Sequence, residues 1–241
     1  MTRRTHGIIL VTGPTGSGKT STLYTTLRQL ATREVNLCTV EDPIEMVEPA
    51  FNQMQVQHNI DLTFASGIRA LLRQDPDIIM IGEMRDEETA EMAIQAALTG
   101  HLVLSTLHTN DAPSAISRLQ ELGIAHYLIK ATLIGVMAQR LVRLLCSHCK
   151  HPAGLEDDGG YEAVGCAHCR DSGYRGRAGL YEIMLMDSAL QALVTPGADI
   201  QALRRGALAQ GMSSLRMAGI EKVKAGLTTM TEVLRWVRCC R

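Results

Sequence analysis

Two sets of residues in this chain have types and spacings suited to chemistry. Residues 13–20 read GPTGSGKT and fit G-x-x-x-x-G-K-S/T in full. Gly13, Gly16 and Gly18 let backbone N–H groups converge on phosphate oxygens, with Pro14, Thr15 and Ser17 completing the turn. A helix-compatible segment follows from Lys19, Thr20 and Ser21 and aims the positive end of its dipole at the same point. Lys19 then reaches the β and γ phosphates of a nucleotide, and the Thr20 hydroxyl ligates its Mg2+. The second set is C-x2-C-x16-C-x2-C, formed by Cys146, Cys149, Cys166 and Cys169. That spacing suits a four-thiolate Zn2+ site, closed to water and therefore structural. A redox pair needs one Cys-x-x-Cys and an activating helix N-terminus, so two pairs favour the metal. His148 and His168 lie inside the knuckles and could each replace a sulfur.

Both sets need elements to position them. An apolar run at 7–11 reads as the strand that feeds the glycine loop, and the helix after it extends to about residue 33. DIIMIGE (77–83) reads as a buried parallel strand, expected beside the P-loop strand and ending in an acid. Glu83 is the candidate for orienting and deprotonating an attacking water. The alternative is a surface or capping Glu, although Asp86 is better placed to cap the next helix. TVEDPIE (39–45) puts Glu41, Asp42 and Glu45 around a proline, a pattern shared by ordinary acidic turns. GHLVLSTLHTNDA (100–112) is a strand flanked by His101 and His108, with Asn110 and Asp111 opening a helix. His108 stands where a γ-phosphate sensor would sit, or serves structure alone. The run at 124–145 is interrupted by His126, Lys130, Gln139, Arg140 and Arg143 and reads as a buried or amphipathic helix. Later helices fall near 187–195, 199–210, 213–225 and 229–238, the last opened by a Thr229/Glu232 capping box.

The 241 residues carry a net charge of −1 and only 3% aromatics, which offers neither general attraction for nucleic acid nor a base-stacking surface. No secretory signal follows Met1, and no apolar run approaches the ~20 residues of a membrane span. The expected compartment is cytoplasmic. Around the cysteines, Arg140, Arg143, Lys150, Arg170, Arg175 and Arg177 either offset the thiolate charge or form a basic surface for a membrane-associated partner or anionic lipid. Cys38, Cys239 and Cys240 read as incidental. Any of Arg69, Arg73, Arg85, Arg118, Arg140 and Arg143 could complete a nucleotide site in trans, with Arg85 ranked first for its closeness to Glu83.

TGPTGSGKTSTLY (12–24), TVEDPIE (39–45), LLRQDPDIIMIGEMRDEETAEMA (71–93), TGHLVLSTLHTNDA (99–112) and QRLVRLLC (139–146) occur in the order that marks the secretion ATPase superfamily, and the chain resembles it from about residue 7 to 237. These are the hexameric ATPases of type II secretion and type IV pilus assembly. The resemblance implies a Walker A loop at 13–20, an acidic box at 39–45, a Walker B strand at 78–83 and a His box at 100–112. It also raises Glu41 and His108 to nucleotide-site residues. It implies an α/β fold: a recombinase-like P-loop core with a mostly parallel sheet (1–142), a tetracysteine zinc insertion (143–178) and a helical C-terminal region (179–241). The family's N-terminal domains, which supply basic residues to a neighbouring site, do not precede this core, so a fragment of a longer protein is expected.

The tetracysteine insertion is similar to that of secretion and pilus-extension members, and most like the type II secretion branch. The implied function is ATP hydrolysis that powers pseudopilus assembly and protein export, with type IV pilus extension as the alternative. A DNA-translocating ATPase and a nucleotide-binding adaptor without turnover are the readings from other classes. The implied partners are a homo-hexamer and the proteins of an inner-membrane platform, with peripheral attachment through them and no nucleic acid.

Overall fold

A computed structural model describes residues 5–153 and 160–237; Cys239 and Cys240 lie outside the described residues. In chain order the elements are β1 (Gly7–Thr12), α1 (Lys19–Leu30), β2 (Leu37–Glu41), β3 (Asn52–Gln55), α2 (Phe64–Leu71), β4 (Ile78–Ile81), α3 (Glu87–Leu98), β5 (Leu102–Leu107), α4 (Ser114–Glu121) and α5 (His126–Thr132). They continue with β6 (Leu133–Leu145), β7 (Lys150–Pro152), β8 (Tyr161–Ala163), β9 (Tyr174–Leu185), α6 (Ser188–Leu193), α7 (Ile200–Ala209), α8 (Leu215–Lys224) and α9 (Met230–Trp236). The main sheet has the order β3-β2-β4-β5-β1-β6-β9. The pairings β3-β2, β2-β4, β4-β5, β5-β1 and β1-β6 are all parallel.

Two compact units emerge. The first comprises the chain up to Gly13, Lys19–Ala138 and Ile183–Met212. Its strands β1, β2, β4 and β5 are buried along their whole length, as parallel strands covered on both faces must be. Ile9, Val11, Met80 and Leu104 pack with Leu23, Tyr24 and Leu27 of α1, and each such burial stabilises by about 2 kcal/mol. Asp86 caps α3 as expected, its carboxylate accepting the Thr89 N–H at 2.8 Å. β4 does not lie beside β1: β5 stands between them, pairing with both. Strand order is a long-range choice that the local run at 77–83 does not encode.

The second unit comprises Pro14–Gly18, Gln139–Glu182 and the chain from Ser213. The expected helix over 124–145 is corrected: only His126–Thr132 is helical, and Leu133–Leu145 is a strand. Short apolar runs are ambiguous between the two states, and pairing with β1 decides this one. Arg140 and Arg143 therefore sit on β6, not on a helix. The Thr229/Glu232 box forms by half. The Thr229 hydroxyl accepts the Glu232 N–H at 3.2 Å, but the Glu232 carboxylate turns to the Arg143 guanidinium at 2.7 Å instead. Among the described residues no helix is long and apolar enough to cross a membrane.

Candidate functional site

β1 delivers the glycine loop. Gly13, Gly16 and Gly18 take positive φ, which glycine adopts without a steric cost, and α1 begins at Lys19. Gly18 is at φ +85°, and a Cβ there would lie 2.9 Å from Gln139 Nε2, so no other residue fits without a shift. Gln139 Nε2 in turn donates to the Ser17 carbonyl at 2.7 Å. Lys19 Nζ donates to the Gly13 carbonyl at 2.9 Å. Thr20 and Ser21 follow in the first turn of α1.

At the carboxyl ends of the neighbouring strands the first unit gathers its charged groups. Gly82 continues β4, donating to Val40 O at 2.8 Å and accepting the Thr106 hydroxyl at 2.8 Å. These bonds aim Glu83. One carboxylate oxygen lies 2.9 Å from His108 Nε2 and the other 2.7 Å from Arg85 Nε. Glu83 is largely enclosed, at 17% side-chain exposure, whereas Arg85 is open at 63%. The Glu83 carboxylate raises the Arg85 guanidinium above its ordinary value through their hydrogen bond and charge. Next to His108, Thr109 bonds across to the last residue of β1: its N–H donates to Thr12 Oγ1 at 2.8 Å and the two hydroxyls meet at 2.7 Å.

Glu41 ends β2 in different surroundings. It is 3% exposed, and its oxygens accept the Tyr24 hydroxyl at 2.6 Å, the Thr39 hydroxyl at 2.6 Å and the Gln53 amide at 3.0 Å. Burial and the Glu41 carboxylate push the Tyr24 phenol well above its usual range. Of the other arginines considered above, Arg69 bonds Glu88 at 2.9 Å and Arg118 bonds Glu121 at 3.2 Å.

In the second unit the four cysteine sulfurs lie within 4.8 Å of one another. The distances Cys146–Cys166, Cys149–Cys169 and Cys166–Cys169 are 3.9, 3.8 and 3.8 Å. A tetrahedral ion with Zn–S bonds of ~2.3 Å requires sulfurs about 3.8 Å apart, so the donor set fits zinc in kind and spacing. Burial opposes ionisation of Cys169, but N–H groups of Cys166 and Gly173, each 3.2 Å from its sulfur, together with the Cys166 and Cys149 side chains, favour the thiolate. At φ +73°, Gly173 brings that N–H in, where a Cβ would lie 2.7 Å from Ala163 Cβ. His148 and His168 do not join the sulfurs; their rings stack on each other at 4.1 Å.

The basic residues near the knuckles are partly engaged elsewhere. Arg143 pairs with Glu232 and lies 4.1 Å over the Tyr174 ring, and Lys150 donates to the Gly226 carbonyl at 2.7 Å and lies over Tyr161. The Leu145 N–H donates to Leu227 O at 2.8 Å, and the Thr228 hydroxyl to Arg143 O at 2.8 Å. Within this unit Pro14–Ser17 share a cleft of about 630 Å³ with Arg143, Tyr174, Arg177 and Trp236. Sequence reading missed this cleft, since residues 14–17 and 232–236 carry no local sign of each other.

Comparison with known proteins follows the same lines. The chain is 57% identical to the type IV pilus assembly ATPase TfpB of Acinetobacter baylyi, over 98% of this chain and 43% of that protein. It is 53% identical to the type II secretion system protein HxcR of Pseudomonas aeruginosa (98% and 50%) and 50% identical to the type II secretion system ATPase E of Vibrio cholerae (97% and 49%). It thus spans about half the length of the curated relatives it matches. Among solved structures, the pilus retraction motor PilT with bound ADP superposes with a TM-score of 0.76 at 30% identity, covering 99% of this chain and 63% of that one. The Legionella pneumophila ATPase DotB gives 0.74 at 27%, covering 95% and 59%. These neighbours bear out the expected P-loop ATPase fold. With residues 1–235 matched by the model for type II/IV secretion system proteins, the chain belongs to that family.

Proposed function

We propose that this chain is the nucleotide-hydrolysing part of a motor ATPase that powers pseudopilus assembly and protein export in type II secretion. The observation that carries it is the convergence, at the carboxyl ends of β4, β5 and β1, of Glu83 with His108 and of Thr109 with Thr12, the residue that leads into the glycine loop. Parallel α/β sheets bind ligands at that edge. The backbone of 13–18 cradles the phosphates, Lys19 neutralises them, Thr20 holds Mg2+ and Ser21 extends the same turn. Glu83 orients the attacking water and His108 senses the terminal phosphate. Glu41 is assigned to the same site, acting through the buried Tyr24 network. A magnesium ion, when bound, neutralises developing charge on the phosphates. The cleft beside Pro14–Ser17 is of a size for a nucleotide's base and sugar. The cysteines hold a structural zinc.

The family resemblance supports a motor that works as a hexamer at the inner-membrane platform, held there through partners. Near-equal identity to a pilus assembly ATPase supports type IV pilus extension as the second reading. Calorimetric titration with ADP tests the nucleotide site: micromolar binding lost in Lys19→Ala supports it, and no binding by the folded chain sinks it. Restoration of export or of pili in deletion hosts separates the two systems. A DNA-stimulated rate would favour translocation instead.

A further inference from the structure

Segment 108–112 is anchored at three places, all within the unit that carries the parallel sheet. His108 meets Glu83, and Thr109 meets Thr12. The third anchor is Asp111, which is 8% exposed. Its Oδ1 accepts the Ser114 N–H at 2.9 Å, and its Oδ2 receives Nη2 of Arg204 at 2.5 Å. Arg204 stands on α7, 93 residues further along the chain. Leu203 and Ala207 of that helix are fully buried, which makes α7 a fixed post.

This pair differs from its neighbours. Arg205, the next residue, reaches Asp199 at 3.7 Å with side chains 72% and 61% exposed, and an ion pair of that kind contributes little. The side chains of Asp111 and Arg204 are only 12% and 23% exposed, so their contact is a partly desolvated charge-assisted hydrogen bond. The Thr109 hydroxyl donates to the Asp111 carbonyl at 2.8 Å, so a shift of Asp111 is passed to Thr109 within two residues. Removing the guanidinium leaves a buried carboxylate oxygen short of a strong donor. Its route to water pulls the segment away from Thr12 and Glu83.

We propose that Arg204 is a positioning residue for the nucleotide site, setting through Asp111 where the His108 imidazole and the Thr109 hydroxyl stand against Glu83 and Thr12. Its catalytic consequence rests on the proposed nucleotide reading; the positioning itself does not. Misplacing a reacting group by about 1 Å costs on the order of 100-fold in rate.

Hydrogen–deuterium exchange of the full chain without nucleotide tests the positioning. Arg204→Ala should speed exchange of the 108–112 amides about tenfold or more while α4 and α7 keep their protection. Arg204→Lys should recover part of the loss, and Arg205→Ala should match the wild type. Unchanged exchange at 108–112 in Arg204→Ala overturns the proposal. In turnover assays the same variant should lose on the order of 100-fold in kcat with KM for ATP within about twofold. Wild-type kcat despite faster exchange overturns it as well. Should Arg204→Ala fail to fold, Asp111→Asn keeps the bond to Ser114, removes the charge and is read in the same way. A wild-type chain that binds no ADP would defeat the nucleotide reading and leave the exchange result standing.

Discussion

His108 Nε2 stands 2.9 Å from Glu83 Oε1, on the side of the carboxylate opposite Arg85. In the proposed mechanism an attacking water takes the place of one of these two contacts, and Arg85, at 63% exposure, is the easier of the two to displace.

Glu83→Gln should lower phosphate release by at least about 100-fold while ADP affinity, measured by calorimetry, stays within a few-fold of wild type. Wild-type turnover in this variant would remove Glu83 from the chemistry.

Gly18→Ala combines φ +85° with a Cβ 2.9 Å from Gln139 Nε2. It should cost about 1–3 kcal/mol of local strain and weaken ADP binding by tenfold or more. Gly197→Ala is the control, at φ +65° with nothing within 4 Å of its Cβ. It should show a modest drop in melting temperature and unaltered ADP affinity.

Elemental analysis should find about one zinc per chain. Cys166→Ser, or a strong chelator, should release the metal and lower the melting temperature by several degrees, because binding to a folded tetrathiolate site is itself folding free energy. Stoichiometric absence of zinc from protein purified without chelators would contradict the assignment.

Glu232 supplies a pH signature. Burial raises its carboxyl, but the Arg143 side-chain and backbone donors, helped by Trp236, more than offset that and leave it below its ordinary 4.5. A depressed native value means stability that is fully present above about 4.5 and lost as the pH falls through the native value. Acid unfolding followed by circular dichroism should show a shallower loss as the pH falls below about 4.5 in Glu232→Gln, which starts from lower stability at pH 7. Identical acid limbs would refute the linkage.

Local features were legible because their causes are local. The glycine loop, the Asp86 cap and the cysteine spacing each lie within a few residues, or repeat a fixed knuckle. The tie between Asp111 and Arg204 spans 93 residues, and that between Arg143 and Glu232 spans 89; neither leaves a trace in the intervening sequence. The β6 strand was hidden for another reason. Its apolar run follows α5 directly, and only pairing with β1 distinguishes strand from helix. The same holds for β5, whose place between β1 and β4 is a matter of sheet order. Glu41 is the residue where local pattern and surroundings diverge most: the acidic turn by itself reads as solvated, and the chain folds Glu41 among neutral hydroxyls and an amide.

The bonds from Leu145, Lys150 and Arg143 to residues 226–232 also bear on synthesis. The glycine turn at 14–17 is synthesised well before α9, which forms one wall of its cleft. β6 and the cysteine knuckles wait for the same segment to satisfy their hydrogen bonds. A nascent chain therefore carries its phosphate loop without the surface that completes the cleft until α9 has been made, and the whole cleft forms only after that.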